Sequence, residues 1–253
     1  LEGLHEFPNL ETLVLRASTS VLGGACLERS KSLRRLAIDQ VEPSSAIALP
    51  TSLRALRVMG RNVPTLGDSN GWETLEELNI MGGAVPSPRR LRSMACLRRL
   101  HAFPWLGDNA FSADHARAVS PTLQVLVLRD TMPDPEALEV LAHHPNLKTL
   151  EVGYVGDVEG LSQLGVEELW LTSWASEPIV DLRPLAKMKR LRRIGVILGG
   201  DRIHHADALP NLERLYSFQL TDHLRSQVGD RWQHASEVTA FSDWYDDKRG
   251  SVS

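Results

Sequence analysis

The stretch Leu123-Gln124-Val125-Leu126-Val127-Leu128 returns 24 residues later as Leu147-Lys148-Thr149-Leu150-Glu151-Val152. Both stretches keep an apolar residue at the first, fourth and sixth positions. The last two of these alternate with their neighbours as the residues of a strand do, one side to a core and the other away from it. Working outward, the same spacing recurs at Leu10/Leu13/Leu15, Leu33/Leu36/Ile38, Leu53/Leu56/Val58, Leu75/Leu78/Ile80, Leu97/Leu100/Ala102, Val166/Leu169/Leu171, Leu191/Ile194/Val196 and Leu212/Leu215/Ser217. There are ten copies, their first positions 19 to 26 residues apart, with a mean of about 22.

One strand and one turn cannot bury an apolar row alone, so the copies must stack. Stacking predicts a parallel sheet with strands about 4.8 Å apart, roughly 45 Å long for ten of them. The chain between strands returns along the far side. Asp134-Pro135-Glu136 opens a helical return carrying Leu138, Val140 and Leu141, and Pro184 starts another at Leu185-Ala186-Lys187-Met188. Returns around Pro43 and Pro64 have room only for extended or 3₁₀ structure. Unequal lengths on the two sides should bend the stack with the sheet inside.

This pattern resembles the leucine-rich-repeat family, and Asp181-Leu182-Arg183-Pro184-Leu185-Ala186 followed by Leu191-Arg192-Arg193-Ile194 is similar to its irregular bacterial, SDS22-like kind. The resemblance covers roughly residues 4 to 220. It implies an α/β solenoid: a curved parallel sheet on the concave side, with short helices, 3₁₀ turns and extended returns on the convex side. One departure stands out. The family places Asn or Cys eight residues after the first Leu, where this chain has Ser18, Val41, Arg61, Gly83, Trp105, Thr131, Val155, Trp174, Gly199 and Leu220. Without that ladder, turn backbone must be satisfied by neighbouring backbone, by the Ser18 and Thr131 hydroxyls, or by water.

The domain reading is an array over 1–220 and a C-terminal cap helix with a polar tail over 221–253. Leu224, Val228 and Trp232 fall at helical spacing behind a cap at Thr221 or Asp222. The chain enters a repeat almost at once from Leu1, so a cap or neighbouring domain N-terminal to it is expected.

Composition is that of a globular protein, with 42% hydrophobic and 24% charged residues and a net charge of −4. Charge arguments must therefore be local. No apolar run approaches the roughly 20 residues of a membrane span. Two cysteines, Cys26 and Cys96, are too few for a disulfide framework, which fits a reducing, cytoplasmic setting. Both are read as small buried hydrophobes in the returns.

The third, fifth and seventh positions of each repeat face away from the core and list the concave surface. Arg16, Arg35, Arg57, Arg99, Arg129, Arg193 and Arg214 stand there against Asp39, Glu77, Glu151 and Glu168, making that face +3. Such a trough favours a protein partner with an acidic surface. Met59, Met81, Phe103, Trp170, Ile197, Tyr216 and Phe218 are expected to expose apolar area into it, with Trp105 and Trp174 near the rim. Arginine with large aromatics is the composition of interface hot spots. The candidate partner-binding residues are accordingly Arg57, Met59, Met81, Arg99, His101, Phe103, Arg129, Trp170, Arg193, Tyr216 and Phe218. The competing reading has these arginines hydrated and these aromatics packed over the sheet.

Nothing here points to catalysis, a metal or a cofactor. His143-His144 and His204-His205 lie in returns and read as solvated, and Gly23-Gly24, Gly82-Gly83 and Gly199-Gly200 are turn pairs rather than a phosphate loop. The function expected is a non-catalytic protein-recognition module binding on the concave face. Two alternatives stay open. The chain is the substrate-recognition or sensor part of a larger enzyme or immune-type protein, or it binds nucleic acid or another anionic ligand through the arginines. The lack of lysine clusters and the net acidity count against the latter.

Overall fold

Every one of the ten repeats forms a strand where the alternation placed one. The computed structural model describes residues 7–16, 25–39, 48–60, 70–82, 85–103, 111–129, 131–153, 158–172, 179–197, 202–217 and 220–235. Residues up to Val152 and those from Gly153 onward form two compact units, each described by itself. The division falls inside the array expected over 1–220.

In the first unit, β1 (Thr12–Arg16), β2 (Arg35–Asp39), β3 (Ala55–Met59), β4 (Glu77–Met81), β5 (Arg99–Phe103), β6 (Val125–Leu128) and β7 (Thr149–Gly153) pair in parallel, in chain order. The register repeats without slip: Leu36, Leu56, Leu78, Leu100, Leu126 and Leu150 lie side by side and are buried. A one-residue slip would send this whole row to the other face, so the apolar pattern holds the register.

Three bonds recur ahead of the strands, and the second and third of them tie a repeat to the one before it. A turn precedes the strand, in which the first Leu donates its N–H three residues back, as Leu53 to Pro50 at 3.0 Å and Leu97 to Met94 at 3.1 Å. The carbonyl of the second position then accepts two N–H groups from the next repeat, as Arg34 does from Arg54 and Ala55 at 2.8 and 3.0 Å. Finally, a small polar side chain just ahead of the first Leu reaches back to the preceding repeat. Ser32 donates to the Leu10 carbonyl, Ser52 to Leu33, Thr74 to Leu53, Thr122 to Leu97 and Asn146 to Pro121, at 2.8 to 3.1 Å. These carbonyls at the start of the strands are thereby satisfied.

The returns of the first unit hold α1 (Ala25–Glu28), a 3₁₀ turn at Asn70–Trp72, α2 (Pro88–Ser93), α3 (Ala113–Ala118) and α4 (Pro135–Ala142). The last is the helix expected from Asp134-Pro135-Glu136: the Asp134 carboxylate accepts the Ala137 N–H at 2.6 Å. Leu138 and Leu141 are buried beneath α4. Trp72 and Phe111 are large buried side chains on this side, and the Arg90 guanidinium lies 4.9 Å from the Trp72 ring centroid. The residues around Pro43 and Pro64 lie outside the described ones, as do most of the positions at which the asparagine ladder is absent.

The second unit carries β8 (Glu168–Thr172), β9 (Val180–Asp181), β10 (Arg193–Ile197), β11 (Ile203–His204), β12 (Arg214–Ser217), α5 (Asp222–Val228) and β13 (Trp232–His234). The parallel order is β8, β10, β12, β13, while β9 and β11 form a separate two-stranded sheet among the returns. The return at Pro184 is a 3₁₀ turn, Arg183–Lys187. The helix expected behind Thr221 is α5, with the Thr221 hydroxyl accepting the Leu224 N–H at 3.2 Å. It stops at Gly229, whose φ of +54° breaks the helix. Trp232, read with the helical stripe, therefore lies on a further strand beside β12. Its indole N–H donates to the buried Ser217 hydroxyl at 2.8 Å, which accounts for a serine at the last core position of the tenth repeat. The polar tail beyond residue 235 lies outside the described residues.

Candidate functional site

The face of each sheet turned from the leucine core is where the candidate residues fall. On the first unit, one outward row runs Ala37, Arg57, Asn79, His101, Val127, Glu151, and the next runs Asp39, Met59, Met81, Phe103. Arg129 follows β6 at the end of that second row. The alternation placed these side chains on the right face, but the expectation that they project freely is corrected for several. Arg57 is 3% exposed and Phe103 7%. Met59, Met81, His101 and Arg129 are half-buried, and Arg99 is exposed.

The cause is packing between the two rows and along the second. Arg57 Nη2 lies 3.7 Å from the sulfurs of both Met59, on its own strand, and Met81, on β4, which close over it. The Arg129 guanidinium sits 4.9 Å from the Phe103 ring centroid and donates from Nε to Glu151 Oε1 at 3.1 Å. Glu151 is itself only 1% exposed. A carboxylate so buried needs its cation, so this ion pair fixes Arg129, and Arg129 in turn covers Phe103. His101, between Arg99 and Arg129, is held neutral: burial first, then the two guanidinium charges, lower its pKa to about 4.

In the second unit, Trp170, Gly195 and Tyr216 stand in register on three neighbouring strands. Trp170 and Tyr216 stack across the glycine with ring centroids 5.3 Å apart and planes at 11°. They are 3% and 6% exposed, with Ala235 buried in the same cluster and Ile197 packed against it. The two rings were expected to be exposed and are not, because they fill each other's space over Gly195. Trp170 Nε1 also donates to Glu168 Oε1 at 2.7 Å. Phe218, Trp105 and Trp174 lie outside the described residues.

The arginines are less available than their number suggested. Arg99 pairs with Glu77 at 3.5 Å, Arg129 with Glu151 at 3.1 Å and Arg193 with Glu168 at 3.0 Å. Three of the four acids of this face thus meet its arginines across neighbouring strands. Each pair joins one charge of either sign, so the count of +3 is the same with the pairs as without them.

Several residues read as inert have definite places. Cys96 is exposed, not buried, because it sits in the tight turn between α2 and β5. The Cys26 side chain lies outside the described residues. His144 is half-buried, with Nε2 3.0 Å from the Ser120 carbonyl of the preceding repeat. His204 meets His223 of α5 with ring centroids 5.1 Å apart. Asp181 is gripped by Arg183, whose hydrogen bonds hold its pKa down at about 2. Among the described residues no three His, Cys, Asp or Glu side chains come together as a metal site, and no helix is long and apolar enough to cross a membrane.

Sequence reasoning passed over the Ser/Thr/Asn position and Gly195. The former was visible, since Asn9, Ser32, Ser52, Thr74, Thr122, Asn146 and Asn211 each precede a first Leu, in seven of ten repeats. A glycine inside a strand pattern signals a close approach, and its register with Trp170 was already implied by the repeat alignment.

The strands at every repeat, their unbroken register and the short returns behind them decide the architecture. The repeats have the architecture of leucine-rich repeats. Among solved structures, an internalin (inlF) from Listeria monocytogenes matches at 15% identity and a TM-score of 0.47, covering 85% of this chain and 70% of that one. The plant peptide hormone receptor RGFR1, in complex with RGF2, matches at 15% identity and a TM-score of 0.40, over 87% of this chain and 42% of that one. No protein-family model matches the sequence, and no curated protein is similar to it in sequence.

Proposed function

We propose that this leucine-rich-repeat chain is a non-catalytic recognition module that receives a protein partner on the outward sheet face of β3 to β6. The observation that carries the reading is the single surface made there by Met59, Met81, Asn79, His101 and Arg129. All five are half-buried on adjacent strands, over the buried Arg57, Phe103 and Glu151. Thioethers adapt their shape to a partner's apolar side chains. Arg129, already fixed by Glu151, offers its remaining donors with little further ordering. An acidic surface on the partner is not part of the proposal. The lack of lysine clusters and the net charge of −4 weigh against nucleic acid. An exposed thiol at Cys96 is compatible with work in a reducing compartment.

The test is affinity for a partner captured from the native host, measured for the unmodified chain and for Met59→Gln/Met81→Gln. Both substitutions keep side-chain length while making the surface polar. We expect binding at least tenfold weaker, in the range of interface hot spots, with the melting curve unchanged. A control, Glu139→Gln on the exposed side of α4, should bind normally. Equal affinity of the methionine variant and the unmodified chain refutes the proposal.

A further inference from the structure

The first repeat of the first unit differs from those that follow it. Leu10, Leu13 and Leu15 hold its three core positions but are only half-buried, whereas Leu33, Leu36 and Ile38 of the next repeat are fully buried. Phe7, in the turn ahead of β1, is 61% exposed. Among the described residues β1 is an edge strand and pairs with β2 alone. The open side of this layer is apolar, and its polar groups define what it accepts.

Those polar groups repeat the ones that bind a preceding repeat elsewhere. Arg34 and Arg35 give their N–H groups to the Glu11 carbonyl, and Arg54 and Ala55 give theirs to Arg34. Glu11 and Thr12 hold the same two positions in the first repeat, so their N–H groups face the open edge. Asn9 stands where Ser32, Ser52, Thr74, Thr122 and Asn146 each donate a side-chain hydrogen bond to the repeat before. Among the described residues no repeat lies there to receive Asn9, which is exposed. The stretch Pro8-Asn9-Leu10-Glu11-Thr12-Leu13 differs at one position from Pro145-Asn146-Leu147-Lys148-Thr149-Leu150. In that second place Asn146 donates to the Pro121 carbonyl, and Lys148 and Thr149 donate to Gln124. The stretch there joins the return that holds α4 to β7. A helix or an antiparallel strand does not present a carbonyl to the asparagine and a second carbonyl to both N–H groups. A parallel strand in repeat register does.

We propose that the open side of β1 is an interior junction of the array, which seats one further leucine-rich repeat stacked in parallel ahead of β1 in the same polypeptide. The apolar row of that repeat covers Leu10, Leu13 and Leu15, a carbonyl ahead of its first Leu takes the Asn9 amide, and its second-position carbonyl takes Glu11 and Thr12. The junction is independent of what the sheet face of β3 to β6 binds.

Hydrogen exchange of single amides tests this on the unmodified chain and on an extended one. In the unmodified chain Glu11 and Thr12 should exchange at least about tenfold faster than Arg34 and Arg35, the difference of one hydrogen bond; equal protection means that the edge is already covered and overturns the proposal. In the extended chain a second copy of residues 121–144 replaces residues 1–7, so that it runs into Pro8-Asn9-Leu10 as the original runs into Pro145-Asn146-Leu147. Glu11 and Thr12 should then gain about tenfold in protection. Asn9→Ala should lower that gain severalfold in the extended chain and change nothing in the unmodified one. A second extension, by residues 187–209, carries the junction of Pro210-Asn211-Leu212 and guards against misfit of one return. No gain with either extension, or a gain indifferent to Asn9→Ala, overturns the proposal. Sedimentation of the unmodified chain should show a monomer; a dimer dissolved by Phe7→Lys would give the edge to a second copy and overturn it too.

Discussion

Replacing Gly195 with Ala adds one methyl group to a strand, which on backbone grounds alone should stabilise by a few tenths of a kcal/mol to about 1 kcal/mol. The surroundings reverse that sign. A Cβ at residue 195 would stand 2.0 Å from Cε3 of Trp170 and 2.4 Å from Cδ2 and Cζ3. These are ring atoms of a rigid bicycle, so the whole indole must turn. In turning it loses the stack on Tyr216 and the 2.7 Å bond to Glu168. Overpacking of this kind costs about 1–3 kcal/mol, and a lost aromatic pair adds about 0.5–1.5 kcal/mol. We expect Gly195→Ala to destabilise by about 2–4 kcal/mol. At about 2–4 °C per kcal/mol for a chain of this size, the melting temperature falls by roughly 10 °C. The assay is urea unfolding followed by far-ultraviolet circular dichroism, run as a double-mutant cycle with Trp170→Leu. In the Trp170→Leu background the same Gly195→Ala change should cost less than about 0.5 kcal/mol, because the atoms it strikes are gone. A neutral single variant, or a cost that persists without the indole, refutes the reasoning.

Other outcomes follow from other parts of the molecule. His101 is neutral in the folded chain down to about pH 4 but takes a proton near pH 6.5 when unfolded. Its contribution is therefore intact above pH 6.5 and lost as pH falls toward 4, by about 3 kcal/mol at most; His101→Gln should remove that slope from stability measured by urea unfolding between pH 7 and 4. Ser52→Ala strips the hydroxyl that serves the Ser30 and Leu33 carbonyls at 3.1 and 2.8 Å and should cost about 1–2 kcal/mol of unfolding free energy, with no change in the circular dichroism spectrum. Gly71→Ala would set a Cβ 2.6 Å from the Leu49 carbonyl oxygen, where backbone cannot swing aside, and a melting temperature lower by several degrees is expected. Asp134→Ala removes the cap of α4 and should cost about 1 kcal/mol, read as faster exchange of the Ala137 amide.

How much of this was legible in the sequence depended on how far apart the interacting groups lie. The strands were legible because a period-two pattern repeated ten times leaves one register, and Leu36, Leu56 and Leu78 have no other way to share a core. The helix at Asp134 was legible because cap, proline and stripe are all local. Trp232 was misread for an equally local reason: Val228 to Trp232 has helical spacing, and only the positive φ at Gly229 shows that the helix has ended. The outward face was legible as a list of positions and illegible as a surface. Whether Arg57 projects or lies down depends on Met59 and Met81 closing over it. Trp170 is buried only because position 195, one strand away, is a glycine. Such facts belong to pairs of repeats, and a reading that assigns each position its own orientation cannot contain them.

Those cross-repeat pairings also bear on what the face can bind. A guanidinium waving in solvent loses about 2 kcal/mol of rotamer freedom when a partner fixes it. Arg129 is already fixed, by Glu151 on one side and the Phe103 ring on the other. The buried residues of the face thus set the geometry of the half-buried ones above them. Glu151→Gln separates the two roles. It removes the charge that holds Arg129 without changing any exposed atom, so a partner resting on Arg129 should bind more weakly although the substitution lies beneath the contact. A partner that ignores Arg129 would bind Glu151→Gln and the unmodified chain alike, and the binding surface would then have to be sought on the side of the sheet nearer Asp39 and Met59.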